Sequence, residues 1–352
     1  MNDHQQTVLR TLLSTPGPSG FEHHAARIWR DEAATFVDTV DHDVLGNSYA
    51  FLNKDRSPLV VIEGHIDEIG LIITYIDDDG FIWFDKIGGW DDQVIVGQRV
   101  KIKSAGGDVS GVIGKKAAHL LKPADRERVT QSDDLWIDIG AASKATAESR
   151  IEVGDPIVLD VPSIALTDDL WVSRSIDNRV GAFVALEVLR SLTENPPQCG
   201  VVAVAATQEE INMGGALNLA SHLKPAVAIA IDVTHATDYP GAAKKADNDV
   251  KLGGGPVLTR GSSINPGVFA RLRDAGKRLG ISTPVQAAAR ASGTDADAFL
   301  RSGQNIASGL VSIPNRYMHS PNEMISLSDV DAAVSLIADF VRTISVRSDF
   351  RP

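Results

Sequence analysis

The sequence predicts an α/β fold, with a mixed, largely parallel sheet, helices on both faces and an inserted small β-barrel domain. Two observations support this prediction. Beyond Val172, short apolar runs alternate with segments of helical period, as in Val201–Ala206 followed by Met213–Leu223. From 68 to 165, short β-rich runs are separated by Asp-Gly and Gly-Gly breakers. We expect one α/β domain from 1–67 and 166–352, with a β domain at 68–165.

The elements before the insert are predicted from breakers and apolar runs. A helix over Thr7–Ser14 stops at Pro16, and the spacing of Ser19 and Glu22 predicts a capping box for a helix that ends near Ala34. Strands are expected at Val37–Val40, Tyr49–Leu52 and Leu59–Glu63.

The elements after the insert alternate between helix and strand. Helix Asn178–Leu192 and strand Val201–Ala206 come first. The predicted elements that follow are helix Met213–Leu223, strand Ala226–Ile231, helix Pro266–Leu279, strand Pro284–Ala288, a helix from Asp295, strand Ala307–Ser312 and a final helix Ser328–Ile344. The glycine-rich stretch 234–256 is expected to be a loop.

Composition limits the possible partners and compartments. The 352 residues are 43% hydrophobic and 23% charged, which is typical of a globular protein with a sizeable core. A net charge of −12 repels phosphate backbones and anionic membranes, so neither nucleic acid nor a membrane is an expected partner. Cys199 is the only cysteine, which excludes an internal disulfide and a thiolate metal cluster. We expect a cytoplasmic protein, since the N-terminus lacks a signal-peptide pattern.

Polar residues follow the buried strands at the positions where α/β sheets bind ligands. The pair Glu209 and Glu210 follows strand Val201–Ala206, and adjacent residues that leave a strand point in different directions, so one glutamate can bind a metal while the other moves a proton. The other residues of this kind are His65, Asp67, Asp177, Asp232 and His319. Two histidines with carboxylates and no cysteine are the nitrogen and oxygen ligands of a two-zinc or two-cobalt hydrolase. Asp67 lies two residues after His65 and is expected behind it, accepting its second N–H.

Seven motifs resemble a known family, the di-metal aminopeptidases that assemble as hollow tetrahedral particles. This family includes glutamyl, leucyl and lysyl aminopeptidases and proteins labelled as cellulases. The motifs occupy 16–22, 64–70, 175–179, 207–210, 231–235, 293–296 and 313–321, so the resemblance covers nearly the whole chain. It implies a zinc-exopeptidase-like fold in which the insert is a dimerisation domain, and a dodecamer built from dimers.

The resemblance also implies a role for each site residue. His65 and Asp232 bind one metal, Glu210 and His319 bind the other, Asp177 bridges the two ions, and Glu209 is the general base. The substrates would be short peptides with a free N-terminus, cut by a water that two zinc, cobalt or manganese ions activate.

Two residues depart from the family pattern, and three other functions stay open. Where the family usually has Val-Gly-Leu-Arg-Gly-Ala after Glu-Glu, this chain has Asn212 and Gly214, so neither substrate preference nor local subunit contacts follow from the resemblance. A related di-metal deacylase or carboxypeptidase, a two-carboxylate glycosidase and an inactive metal-bound scaffold are the alternatives. An assay that compares peptides with free and with blocked N-termini would separate the deacylase or carboxypeptidase from an aminopeptidase.

His119 stands among apolar residues of the insert. One interpretation is a half-buried residue hydrogen-bonded within its own domain. The other is that it reaches a neighbouring subunit's active site and donates to the developing oxyanion there.

Overall fold

The computed structural model describes the backbone of residues 1–352 and all side chains except those of residues 124, 125 and 247. The α-helices are α1 Asp3–Ser14, α2 His23–Ala33, α3 Asp92–Ile95, α4 Pro123–Arg126, α5 Lys144–Glu148, α6 Ile176–Glu194, α7 Glu209–Asn212, α8 Gly214–Leu223, α9 Lys244–Asp247, α10 Pro266–Leu279, α11 Asp295–Arg301 and α12 Leu327–Arg342. Two 3₁₀ turns span Ala118–Leu120 and Ser132–Asp134. Among the residues so described, none of these helices is both long and apolar enough to cross a membrane.

The central sheet contains eight strands. They are β1 Thr39–His42, β2 Ser48–Leu52, β3 Leu59–His65, β12 Gly200–Ala206, β13 Val227–His235, β14 Val257–Gly261, β15 Val285–Ala288 and β16 Ala307–Asn315. Their order is β1-β2-β12-β3-β13-β16-β14-β15. The middle strands β12, β3, β13 and β16 pair in parallel, and antiparallel pairs flank them. The mixed, largely parallel sheet predicted from the sequence is confirmed.

Helices cover both faces of this sheet. A Cβ on Gly64 would lie 2.2 Å from the Gly181 carbonyl carbon, so β3 packs closely on α6 at this face. Successive strand residues alternate in direction, so Glu63 and His65 point to the opposite face, where α11 packs against β13 and β16. The strands between these layers are almost wholly buried, as expected for a parallel sheet covered on both sides.

The inserted stretch contains a closed barrel of six strands. They are β4 Gly70–Ile76, β5 Ile82–Ile87, β6 Arg99–Ser104, β7 Gly107–Lys115, β8 Leu135–Asp138 and β9 Pro156–Leu159, and every neighbouring pair is antiparallel. The barrel has its own apolar core, which includes Ile73, Ile102 and Ile137. A small antiparallel sheet of β10 Ile164–Ala165, β11 Leu170–Ser173 and β17 Glu323–Ser326 follows the barrel.

Buried charges join the start of the barrel stretch to the α/β part. Glu68 is 2% exposed and its carboxylate accepts from Arg174, from Arg179 and from the backbone N–H of Gly17. Arg179 is fully buried and also donates to the carbonyls of Leu12 and Thr15. This network fixes the loop after α1 against α6, directly beneath the strand end that carries His65.

The predicted capping box at α2 is wrong. Glu22 stands at the N-cap without capping through its side chain, and its carboxylate accepts instead from the N–H groups of Gly20 and Gln208. The Ser19 hydroxyl donates to Asp67 at 2.5 Å. Both residues that favoured a local cap therefore make long-range bonds to the strand ends.

Candidate metal centre

Three parallel strands end at one edge of the sheet and place the first ligands. His65 is the last residue of β3 and pairs with Ala206, the last residue of β12. Asp232 lies in β13, the strand on the other side of β3. His65 is 1% exposed and Asp232 is 6% exposed, and 3.9 Å separates His65 Nε2 from Asp232 Oδ1. Both side chains lie on the face opposite α6.

Asp177 lies between two histidines. It is at the start of α6, where its backbone departs from helical geometry and turns the carboxylate out of the helix. Its Oδ1 is 3.2 Å from His65 Nε2, and its Oδ2 is 3.5 Å from His319 Nε2. A carboxylate that presents one oxygen to each of two imidazoles can bind two ions at once.

The two adjacent glutamates face different histidines. Gln208 has a left-handed backbone with φ of 60°, which turns the chain sharply between β12 and α7. Glu210 Oε2 then lies 3.4 Å from His319 Nε2, and Glu209 Oε2 lies 3.8 Å from His65 Nε2. The structure therefore brings the sequence-predicted site residues together in one cluster, with Asp177 at its centre.

Asp67 contacts this cluster behind His65 and at the start of α7. Its Oδ1 is 3.3 Å from His65 Nδ1 and accepts from the N–H of Glu209, while its Oδ2 accepts from the N–H of Glu210 and from Ser19. One buried carboxylate thus faces His65 and holds the start of α7 through two backbone N–H groups. Asp67 lies behind His65 as predicted, but the predicted hydrogen bond is not formed, since His65 Nδ1 has no hydrogen-bond partner among the residues whose side chains are described. The contacts of Asp67 with α7 are not indicated by any local sequence pattern.

Glu323 holds two site residues by their backbones, and sequence reasoning missed it. It is 2% exposed, and its two oxygens accept from the N–H of Asp177 at 2.9 Å and from the N–H of His319 at 3.0 Å. His319 has a left-handed backbone with φ of 56°, which is uncommon for a residue with a side chain. The bond to Glu323 stabilises this turn, but no local sequence pattern around Glu323 indicates it.

The pKa values in the cluster are shifted in the direction that bound cations would offset. Burial raises the pKa of Glu209 to about 9, a rise that His65 opposes and Asp295 reinforces. Burial also raises the pKa of Asp232 well above its ordinary range. Burial lowers the pKa of His319, but its contacts with Asp177 and Glu210 outweigh this and raise that pKa to about 11. Five carboxylates lie within 4 Å of the two imidazoles, namely Asp67, Asp177, Glu209, Glu210 and Asp232, and such crowding is costly unless cations offset it.

The donor set fits divalent ions. His65, Asp177 and Glu210 offer ligand atoms that all lie within 4.8 Å of one another. Glu210 Oε1 is buried and has no hydrogen-bond partner among the residues whose side chains are described. The cluster opens on a cleft of about 240 Å³, whose outer wall is polar and includes Thr234, Gln286 and Ser292.

The two residues that depart from the expected motif are in contact. A Cβ on Gly214 would lie 2.6 Å from Asn212 Oδ1. An arginine at 214 therefore requires the Asn212 side chain to move, so the two departures belong together. Neither residue is in the cluster of candidate ligands and base, here called the ligand cluster, which consists of His65, Asp177, Glu209, Glu210, Asp232 and His319.

Comparison with known proteins identifies the family. The family model described as M42 glutamyl aminopeptidase matches residues 46–336. The chain belongs to this family. The lysyl aminopeptidase of Pyrococcus furiosus is 31% identical over 332 residues, which is 94% of each chain.

Solved structures agree with this assignment. A TET aminopeptidase from the marine sediment archaeon Thaumarchaeota archaeon SCGC AB-539-E09 has a TM-score of 0.93 at 30% identity, over 98% of this chain and 97% of that one. The TET1 peptidase of Pyrococcus horikoshii, which can assemble into a tetrahedron or a large octahedral shell, has a TM-score of 0.87 at 29% identity, over 97% of this chain and 100% of that one.

Membership in the M42 family confirms that the chain is a hydrolase of the aminopeptidase class. It also confirms the resemblance drawn from the seven motifs. Some relatives also carry a cellulase-type name, as expected from the resemblance: a solved structure from Thermotoga maritima with a TM-score of 0.76 and 28% identity, over 95% of this chain and 96% of that one, is named an endoglucanase.

Asp67 provides a test of how the cluster is supported. Asp67→Ala removes the carboxylate 3.3 Å from His65 Nδ1 and both bonds to the start of α7, so we expect metal affinity to fall by about 10- to 100-fold. Ser19→Ala removes only one bond to Asp67 and should have a smaller effect in the same direction. Competition with a chromophoric chelator measures both. Unchanged affinity in Asp67→Ala would show that Asp67 does not orient His65.

Proposed function

We propose that this M42 family member is a two-metal aminopeptidase that removes N-terminal residues from short peptides. His65 and Asp232 would bind one divalent ion, Glu210 and His319 the other, and Asp177 would bridge them. The observation that supports this assignment most strongly is the Asp177 carboxylate, whose oxygens lie 3.2 and 3.5 Å from the two imidazoles. The grouping of ligand atoms from His65, Asp177 and Glu210 within 4.8 Å of one another also supports it.

Two bound divalent ions would polarise the scissile carbonyl, lower the pKa of a water molecule and hold the free α-amine of the substrate. Glu209 would accept the proton of the attacking water and deliver it to the leaving amine. Its side chain is 9% exposed and faces the cleft beside His65. Because burial raises its pKa, Glu209 serves as a base only where positive charge at the ligand cluster keeps it ionised.

The cleft suits the end of an extended peptide. Its floor is the ligand cluster, and its wall offers neutral polar groups rather than a lysine or arginine. Zinc or cobalt is the expected ion and manganese is possible, because imidazole and carboxylate ligands discriminate little among them. The buried free thiol of Cys199 is compatible with the proposed cytoplasmic location.

We also propose that residues 68–165 form a dimerisation domain and that dimers assemble into a dodecamer. The TET1 peptidase of Pyrococcus horikoshii assembles into closed shells, and the fold is shared. The barrel stretch exposes apolar side chains, among them Tyr75, Val112 and Leu120. His119 lies in the 3₁₀ turn beside Leu120 and is exposed, which argues against a half-buried role within its own domain.

The division of labour between the two glutamates can be tested directly. Glu209→Gln should keep both metals and lose at least about a hundredfold in turnover, because general-base catalysis typically supplies that much. Asp177→Asn should lose metal, since the substitution replaces one of the two carboxylate oxygens by an amide NH2 group, which does not bind a metal ion. Metal analysis and turnover of aminoacyl-anilides distinguish the two effects.

Substrates with a blocked N-terminus complete this test. Activity on free but not on blocked peptides is expected, and the reverse would favour a deacylase. If Glu209→Gln were stripped of its ions, the proposed roles of Glu209 and Glu210 would be wrong.

The role of His119 requires assembly and turnover to be measured together. We expect His119→Ala to form the same oligomer by light scattering and to lose turnover, since an oxyanion donor contributes about a hundredfold or more. Leu120→Ala, next to it in the same turn, controls for local packing. A fully active monomer would contradict the assembly claim, and a fully active His119→Ala oligomer would contradict the role in the neighbouring subunit.

A further inference from the structure

A loop of the barrel stretch reaches the ligand cluster. Gly88 and Gly89 connect β5 to α3, far from the catalytic residues in sequence. The Gly89 carbonyl oxygen lies 2.9 Å from His319 Nδ1. Gly88 lies beside Glu210, since a Cβ on Gly88 would be 3.4 Å from Glu210 Cβ. The loop therefore contacts both ligands proposed for the same metal ion.

The Gly89 carbonyl determines which nitrogen of His319 is free. A carbonyl oxygen can only accept, so Nδ1 must carry the hydrogen of this bond. In the neutral imidazole, the lone pair is then on Nε2, the atom that lies 3.4 Å from Glu210 and 3.5 Å from Asp177. Backbone carbonyls commonly fix the tautomer of metal-binding histidines in this way.

The loop is anchored in the barrel by the residues on either side of it. Trp90, which follows Gly89, is 8% exposed and packs in the barrel core with Ile69. The Lys86 ammonium donates hydrogen bonds to the Trp90 carbonyl at 3.4 Å and to the Asp92 carboxylate at 3.0 Å. The position of the Gly89 carbonyl thus follows the position of the barrel.

There is no room for a larger residue at Gly89. A Cβ there would lie 2.9 Å from His319 Nδ1 and 3.2 Å from His319 Cε1. The backbone of Gly89 is not in the left-handed region, so alanine is compatible with the chain path and would act through the His319 ring. Gly89→Ala is therefore a specific probe of this contact.

We propose that the Gly88–Gly89 loop is a positioning element for the ion bound by Glu210 and His319, because it fixes the ring orientation and tautomer of His319. This inference rests on the ligand assignment under the proposed function. It makes the geometry of one of the two metal sites depend on a segment outside the α/β part. Gly89 contacts His319, which is proposed to bind one ion only, so the binding step of that ion is the one expected to weaken.

The test is a metal titration of metal-free protein with Zn²⁺ in competition with a chromophoric chelator. Gly89→Ala should weaken one of two binding steps by about 10- to 100-fold and leave the other unchanged. The matched control is Gly106→Ala, another barrel glycine outside the left-handed region, whose Cβ would meet only Ser104 Oγ at 3.8 Å. This control should bind both ions like the wild type.

A double-mutant cycle separates this contact from a general effect on the barrel. In the His319→Ala background, Gly89→Ala should cause no additional loss, because its target is already absent. Wild-type affinity in Gly89→Ala, or an equal further loss in the double variant, would overturn the positioning role while leaving the ligand assignment intact. Wild-type affinity in His319→Ala would overturn the ligand assignment, and the positioning role with it.

Discussion

The carboxylate of Asp177 contacts two imidazoles, and the geometry of the proposed metal centre depends on these two contacts. His65 approaches from the end of β3, and His319 from a left-handed turn after β16. Glu323 accepts from the backbone N–H of both Asp177 and His319, which holds these two residues at a fixed separation. Asp67 has the matching role on the other side, since it contacts His65 and holds the start of α7. Two buried carboxyl groups that are not proposed as ligands therefore contact four of the five proposed ligands, all except Asp232.

The crowding of carboxylates destabilises the folded protein unless cations are bound. Carboxylates crowded in a buried site must take up protons or share cations, and burial raises the pKa values of Glu209 and Asp232 accordingly. Close packing of β3 on α6 at Gly64 fixes the strand that ends in His65. Metal binding and stability of the cluster should therefore be tightly linked. The barrel adds a further constraint through the Gly89 carbonyl, so one ligand is oriented by a segment with its own core.

Much of the fold and the site could be predicted from sequence, because strand ends and apolar runs are local signals. Helix Pro266–Leu279 was predicted at its observed bounds, and strand β3 extends only two residues past its predicted end, to His65 itself. The ligand cluster followed from polar residues after buried strands. Glu323, Ser19 and Gly89 were missed as site residues because their partners lie far away in sequence, and the capping-box prediction failed because Ser19 and Glu22 make tertiary bonds instead. The dimerisation role of 68–165 stays a prediction.

The measurement that tests the two-metal assignment most directly is anomalous diffraction from crystals soaked in Zn²⁺, recorded on both sides of the zinc absorption edge. Two peaks are expected, one on each side of the Asp177 carboxylate, about 3.5 to 4 Å apart. One ion should contact His65 and Asp232, and the other Glu210 and His319. A single peak, or a pair of peaks that Asp177 does not bridge, would contradict the assignment.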